Sequence, residues 1–504
     1  MPEAPLPQDG LDARGPAATR RGWVLAACLL ATFISAVEST IVATAVPTIV
    51  ASLEGFELFG WVFAIYFLTQ AVGIPVYGRL ADHYGRRPVF VAGTGLFLAG
   101  SLGCGFAGSM VALILCRGLQ GLGAGAVQPI AATILGDLYA PEERAKVQGL
   151  VAAVYGIAAL AGPSLGAFLI DLFDWQSVFW INVPIGLAAI ALIAVSLKEH
   201  AVSPAHPVDW IGSVLLLLCG GALMVVCMQD ALLTPLELGA VLMLGLATLA
   251  VLIWHERGVP EPMLAFELWR QRVIAVGSLG SGFCGALLMG VAAFLPTYVQ
   301  GVMGRGPVAS GAVLGAMSVG WSAASFATAP LMRTRSFRGI AVFGGLCMLV
   351  GAGLLVAMSP TARLWWPGLA SLVMGVGMGL CTTIFIVAVQ GSVAWNQRGA
   401  ATSTLMCLRV VGQSLGVVLC AGALNASIAA TDPGAADSAL DRLLDRTGRA
   451  SLAPEELADL TDVVARGLHD THLLATAFAA ASLVAALILP RGLRATPKPA
   501  RTRV

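Results

Sequence analysis

Charge is scarce in this chain, and lysine is nearly missing. Only 11% of the 504 residues are Asp, Glu, Lys or Arg, where a soluble globular protein carries about a quarter. Lysine stands only at Lys146, Lys198 and Lys498. A chain this poor in charge and 58% hydrophobic cannot cover a water-exposed surface, which excludes a soluble globular protein. The 29 Lys+Arg against 28 Asp+Glu leave a net charge of +1, which by itself says little about nucleic acid, and no nucleic-acid partner is expected. Ten cysteines are scattered through apolar segments without a C-x-x-C pair. That excludes a thiolate metal site and a disulfide framework, and the cysteines read as small packing residues. His469 and His472 stand close together with no third ligand at metal spacing, so neither metal nor cofactor is expected. The first 21 residues are polar and lack a signal-peptide cleavage pattern, so the first apolar run is expected to be retained.

Apolar runs are what the chain has in abundance. At about 20 residues per crossing they resolve into fourteen candidate helices: 23–49, 58–78, 89–108, 111–139, 147–170, 176–197, 209–229, 235–255, 272–300, 308–331, 339–358, 365–389, 399–424 and 471–489. The fold expected is an all-α polytopic membrane protein. An even count puts both termini on one side. The arginines of the short connections that share that side, Arg79, Arg86, Arg87, Arg144, Arg333, Arg335 and Arg338, together with Lys146, make it the cytoplasmic side by the positive-inside rule. The expected organisation is a cytoplasmic tail over 1–22, a six-helix bundle over 23–200, two inserted helices over 201–258, a second six-helix bundle over 259–490, and a cytoplasmic tail over 491–504. One sizeable loop, 425–470, is expected on the outer surface. Its stretches "SALDRLLDRTG" and "PEELADLTDVVARGL" show apolar residues at helical spacing, such as Leu457, Leu460 and Val464, and read as two short surface helices.

Against this apolar background three charged residues fall deep inside spans: Glu38, Arg117 and Arg409. An isolated ion there costs several kcal/mol unless paired, hydrated or neutralised. At 1.5 Å per residue, Glu38 sits roughly 15 Å and Arg117 roughly 10 Å from the outer ends of their helices, so the two depths agree. Arg409, about ten residues into its helix, is expected either to take an anionic substrate group or to brace the second bundle. Trp61, Tyr66, Gln70, Gln128 and Gln390 are candidate cavity-lining side chains, with Trp61 equally suited to anchoring at the membrane interface. Two enzyme-like patterns fail on context. Gly162-Pro163-Ser164-Leu165-Gly166 has the G-x-S-x-G spacing, and Gly121, Gly123 and Ala126 the G-x-G-x-x-A spacing, but both lie inside spans with no preceding strand. No enzyme is expected.

The connection after the second apolar run reads "GRLADHYGRRP", residues 78–88. Gly78 and Gly85 would permit a tight turn, and Asp82 with Arg86 and Arg87 offers a charge network between helix ends. This spacing resembles the signature loop of the major facilitator superfamily, which implies that these residues latch helix ends in the outward-facing state. The corresponding loop of the second half, "APLMRTRSFRG" (329–339), keeps its arginines without the acid. "RGLQGLGAGAVQP" (117–129) resembles the helix 4 motif, with Arg117 at the intramembrane arginine and glycines for close helix contact. "GPSLGAF" (162–168) resembles the helix 5 antiporter motif through Gly162, Pro163 and Gly166, with Ala167 where a second glycine is usual. "ESTIVATAVPTIV" (38–50) is similar to the helix 1 motif of the fourteen-helix drug:proton antiporters (EmrB/QacA-like), with Glu38 where that group usually has Asp. "WQSVFWINVPIG" (175–186) and "RGAATSTLMCLRVVGQSLG" (398–416) resemble the same group.

The resemblance implies a proton-coupled antiporter exporting lipophilic, cationic drugs or toxic compounds by alternating access. Its energy would come from the proton gradient, and its site would be the bacterial cytoplasmic membrane. Its partners would be the small lipophilic substrate, protons and the bilayer, in a monomer that works alone or with a periplasmic adaptor. Burial disfavours charge on Glu38 and Arg117 favours it, so Glu38 is expected to exchange a proton for substrate. The alternative expectation is an exporter dedicated to one metabolite: an antibiotic, a siderophore or a lipid.

Overall fold

Short polar turns divide the apolar chain into long helices. The computed structural model describes residues 17–53, 55, 58–139, 141–197, 209–228, 234–259, 266–393, 398–431 and 453–491. Among these, fourteen helices of fifteen residues or more follow one another: α1 Ala17–Leu53, α2 Phe59–Tyr84, α3 Arg86–Gly105, α4 Met110–Leu138, α5 Pro141–Leu172, α6 Asn182–Ser196, α7 Trp210–Met228, α8 Pro235–Gly258, α9 Arg272–Thr297, α10 Pro307–Thr334, α11 Phe337–Val356, α12 Trp365–Gly391, α13 Arg398–Thr431 and α14 Pro454–Ile488. Their ends follow local rules. Ser109 caps α4 by accepting the Ala112 N–H at 3.2 Å, and Ser336 caps α11 from Gly339 at 3.2 Å. Thr234 and Glu237 form a reciprocal capping box at the start of α8, with Pro235 inside its first turn. Gly85 alone separates α2 from α3, at φ +94°, a conformation that side-chain-bearing residues rarely adopt.

Twelve segments are long and apolar enough to cross a membrane, among the described residues. The expectation of fourteen crossings is therefore met for twelve. The described apolar stretch of α7, Trp210–Val226, is shorter, and α5 opens on Glu142, Glu143, Arg144 and Lys146.

Packing shows an internal repeat. In the first half α2 packs on α4, α3 on α4, α1 on α5, α1 on α6 and α3 on α6. In the second half α10 packs on α12, α11 on α12, α9 on α13, α9 on α14 and α11 on α14. The same five pairings recur with α9–α14 in the roles of α1–α6. The halves meet along two seams, α2 against α13 and α5 against α10, which are also equivalent under that exchange. The helices come close because glycines line them. A Cβ on Gly121 would lie 2.2 Å from the Tyr66 carbonyl oxygen of α2, and one on Gly123 would lie 2.2 Å from the Phe97 amide of α3. The second half uses the same device: a Cβ on Gly375 of α12 would stand 1.9 Å from the Met317 carbonyl of α10. Without a hydrophobic driving force between helices in lipid, such close van der Waals contact carries much of the association.

The α7–α8 pair docks on the α2–α13 seam. Leu68 fills the space beside Gly220, and the Ser414 hydroxyl lies 2.7 Å from the Ala64 carbonyl of α2 and 3.7 Å from Met224 Sδ of α7. Asp209 and His255 pair at 2.8 Å at the pair's far end. The outer flank of α8 exposes Met243, Leu244 and Trp254, a surface suited to lipid and not to water.

Two expectations are corrected. Residues 425–470 are not one loop with surface helices: α13 runs on to Thr431, and "PEELADLTDVVARGL" is the first half of α14, a single 35-residue helix about 52 Å long. Val464 and Leu468 are buried on it, and the place of a Gly467 Cβ lies 2.6 Å from Leu424 of α13, so the amphipathic stripe packs on a neighbouring helix. "SALDRLLDRTG" lies outside the described residues. The α2–α3 turn rests on Gly85 alone; Gly78 is inside α2, with nothing within 4 Å of where its Cβ would be.

Candidate functional site

Glu38 and Arg117 are in direct contact. Arg117 Nη1 donates to Glu38 Oε1, and the side chains are 1% and 0% exposed. Three neutral residues complete the arrangement. Arg117 Nη1 also donates to Gln120 Oε1 at 2.5 Å, Gln120 Nε2 donates to Ser101 Oγ at 2.6 Å, and Asn182 Nδ2 lies 3.1 Å from Ser101 Oγ. Asn182 Nδ2 also donates to Glu38 Oε2 at 2.5 Å. The chain of contacts runs Glu38–Arg117–Gln120–Ser101–Asn182 and back to Glu38. It is a closed ring drawing on α1, α4, α3 and α6, and all five side chains are buried. Both carboxylate oxygens of Glu38 are thus engaged by donors on two other helices.

Arg117 has partners besides the acid. Its Nε donates to the Val62 carbonyl of α2 at 3.1 Å, and its guanidinium carbon lies 4.1 Å from the centroid of the Tyr66 ring, within cation–π range. The local sequence places these groups. Gln120 follows Arg117 by three and so shares its face. A Cβ on Gly100 would be 2.4 Å from the Gln120 amide, so glycine there lets α3 come near enough for Ser101 to reach α4. Asn182 is delivered by the tight turn Asp174–Ile181 that leads into α6.

The remaining candidates disperse. Tyr66 belongs to the ring's surroundings, and Trp61 packs against the core one residue before Val62. Gln128 donates to Ser35 at 3.0 Å, one turn before Glu38 on α1. Gln70 is buried, and the place of a Gly125 Cβ is 2.9 Å from its backbone carbonyl. Gln390 is elsewhere, donating to Thr402 across the α12–α13 connection at 3.1 Å. Arg409 lies in the second half; its Nε is buried without a hydrogen-bond partner among the described residues. Gly162 and Gly166 are buried on α5, the helix that packs on α1 and on α10. Arg86 and Arg87 open α3 after Gly85, while the side chains of Asp82 and Pro163 lie outside the described residues. Gln120, Ser101 and Asn182 were not anticipated, nor was the burial of the acids Asp209 and Glu256 at the ends of α7 and α8.

A repeated six-helix bundle with a buried ion pair at the heart of one copy narrows the identity sharply, and the family comparison settles it. The model of the Major Facilitator Superfamily matches residues 28–417. The chain belongs to that superfamily. It is 34% identical over 410 residues to Multidrug resistance protein 3 of Bacillus subtilis, covering 79% of this chain and 78% of the relative. It is 30% identical over 414 residues to the Multidrug transporter protein MdtP of the same organism, covering 81% and 76%. Among solved structures it is similar to a bacterial homologue of the human lysosomal transporter Spinster in an inward-facing, unoccupied conformation. That match has a TM-score of 0.65 at 16% identity and covers 94% of this chain and 98% of the other, a likeness of fold. This facilitator is a multi-pass membrane transporter and not an enzyme, and the Glu38 ring is the chemistry at the centre of its first half.

Proposed function

We propose that the chain exports lipophilic, cationic drugs or toxic compounds in exchange for protons, with Glu38 as the group that exchanges them. The observation that carries this reading is the closed ring. One carboxylate, fully buried, holds donors from α4 and α6 at once, so its protonation state decides whether three helices stay tied. A proton on Glu38 removes the charge that holds Arg117 and turns one oxygen from acceptor into donor. Arg117 is not stranded when it lets go, because the Val62 carbonyl, the Gln120 amide and the Tyr66 ring remain in reach. Loss of that proton while Arg117 is so engaged leaves a free carboxylate that a cationic substrate can take in place of Arg117, and proton and substrate then compete for it. Alternating access follows if the α2–α13 and α5–α10 seams open in turn.

The same reading places fourteen spans in the bacterial cytoplasmic membrane with both termini inside, as in the drug:proton antiporters that the motifs resemble. The exposed apolar flank of α8 supports counting the α7–α8 pair among them. The multidrug names of both Bacillus relatives support drug export, in a monomer acting alone or with a periplasmic adaptor. A second reading is an exporter of one metabolite carrying an acidic group. It is favoured by Arg409, a membrane-embedded cation whose Nε has no partner among the described residues.

Glu38→Gln separates function from folding. In reconstituted vesicles the variant is expected to fold and to lose efflux driven by an imposed proton gradient. Proton-driven efflux at the wild-type rate would overturn the assignment of Glu38.

A further inference from the structure

The second half holds a half-open pocket of mixed polar and apolar lining that the Glu38 ring does not use. It measures about 520 Å³ and lies between the end of α9, the last turn of α13, the α11–α12 connection and the first half of α14. Along alternating spans this is the face opposite the Gly85–Arg87 turn, the extracytoplasmic face in the orientation proposed above. Its polar lining comes mainly from α14, as Asp462, Arg466, His469, Asp470 and His472, with Tyr298 at the end of α9. His472 is 2% exposed, its ring centroid is 5.6 Å from that of Tyr298, and its Nε2 has no hydrogen-bond partner among the described residues. A buried polar atom left unpartnered beside a pocket carries a desolvation cost that a ligand in the pocket would relieve.

The backbone at Tyr298 is also unusual. Pro296 interrupts the amide series of α9, and Tyr298–Val302 continues as a π-helical turn in which the Met303 N–H reaches the Tyr298 carbonyl at 3.0 Å. Such wide turns are rare and are frequently found at functional sites. Here the turn sets the tyrosine at the cavity wall.

We infer that this cavity is a second small-molecule site, taking a drug-sized amphipathic organic cation from the extracytoplasmic side. The volume falls within the range of about 300–1,000 Å³ typical of small-ligand sites. Two carboxylates against one guanidinium give the lining an excess of negative charge. Arg466 sits one turn from each acid, yet it makes no ion pair with either among the described residues, so neither acid is spent on it. Tyr298, Met358, Pro360 and Ala465 supply aromatic and apolar wall, and the His472 ring nitrogen orients a polar group. A metal ion does not fit: no group of three or more His, Cys, Asp or Glu side chains converges among the described residues.

The test uses the full chain in lipid nanodiscs with tetraphenylphosphonium as probe, followed by equilibrium binding. Asp462 is exposed and Asp470 half-buried, so Asp462→Asn/Asp470→Asn leaves the packing intact; a thermal scan verifies this. Wild type is expected to show two classes of site, with the double variant weakening one about tenfold and Glu38→Gln leaving that one unchanged. His472→Ala is expected to weaken the same class. Unchanged binding in a correctly folded double variant would overturn the second site while leaving the role of Glu38 standing. Loss of this class together with wild-type proton-driven efflux in Glu38→Gln would do the reverse.

Discussion

The two halves pack alike and differ at their centres. Around α1, α3, α4 and α6 the first half builds a ring of Glu38, Ser101, Arg117, Gln120 and Asn182. Around the equivalent α9, α11, α12 and α14 the second half gathers soft neutral groups. Cys284 Sγ lies 3.3 Å from the Ser482 hydroxyl and 4.0 Å from Met348 Sδ, and Cys381 Sγ donates to the Ala341 carbonyl at 3.2 Å. The repeat therefore does not need charge to hold a six-helix bundle together. Thiols, a thioether and a hydroxyl fill the same junction with little desolvation cost, whereas a buried ion pair is weak support for stability and is often matched by apolar residues of similar volume. An ion pair retained in one copy, where the other carries the lone cation Arg409 on α13, points to work other than packing.

The sharpest way to break this comparison is to remove one partner of the pair. Arg117→Met leaves Glu38 buried without its counter-charge and is expected to destabilise the protein by about 3–5 kcal/mol, read as a large fall in the thermal midpoint in detergent. Adding Glu38→Gln to it should recover most of the loss, because the stranded charge is gone, while transport stays abolished. If Arg117→Met alone were as stable as wild type, Glu38 would have to be neutral already, and the ring would be no more than a hydrogen-bonded counterpart of the Cys284 cluster.

How much of this arrangement the sequence carries depends on the kind of residue. Glu38 and Arg117 are legible because charge in an apolar run is costly, and their matching depths place them together. Gln120 could have been found, since it shares the face of Arg117 at a spacing of three. Asn182 sits in a quoted motif but carries no charge, so its apolar neighbours hide it. Ser101 gives no signal at all, because a serine in an apolar helix can satisfy itself on its own backbone. The same limit explains α14. Asp459, Asp462, Arg466 and Asp470 depress the hydropathy of its first half, so the apolar run begins near residue 471, while the helix itself starts at Pro454. Gly85 is legible in the turn motif and Gly121 in the helix 4 motif, whereas Gly100 and Gly375 show their purpose only once a neighbouring helix is in place.

An intermediate effect is expected where the halves agree. Gly121→Val pushes a side chain into the Tyr66 carbonyl region of α2, and Gly375→Val does the same against Met317 of α10. Overpacking of this kind costs about 1–3 kcal/mol. The two variants should lose similar stability, because each breaks the same seam of the repeat. Transport should fall further in Gly121→Val, which also displaces the helix carrying Arg117. Equal transport in both would indicate that the ring tolerates movement of α4 and would weaken the claim that its geometry matters.

The smallest effect belongs to the centre of the second half. Cys381→Ser replaces a thiol with a slightly smaller hydroxyl that keeps the Ala341 carbonyl as its acceptor, so the buried donor stays paired. Near volume-conserving changes with partners retained cost less than about 1.5 kcal/mol, and the thermal midpoint should barely move. Proton-driven efflux should remain at the wild-type rate, since nothing at this junction changes charge during the cycle. Efflux that fell as far as in Glu38→Gln, with stability unchanged, would mean that the second junction takes part in coupling. The contrast between a working half and a supporting half would then have to be given up.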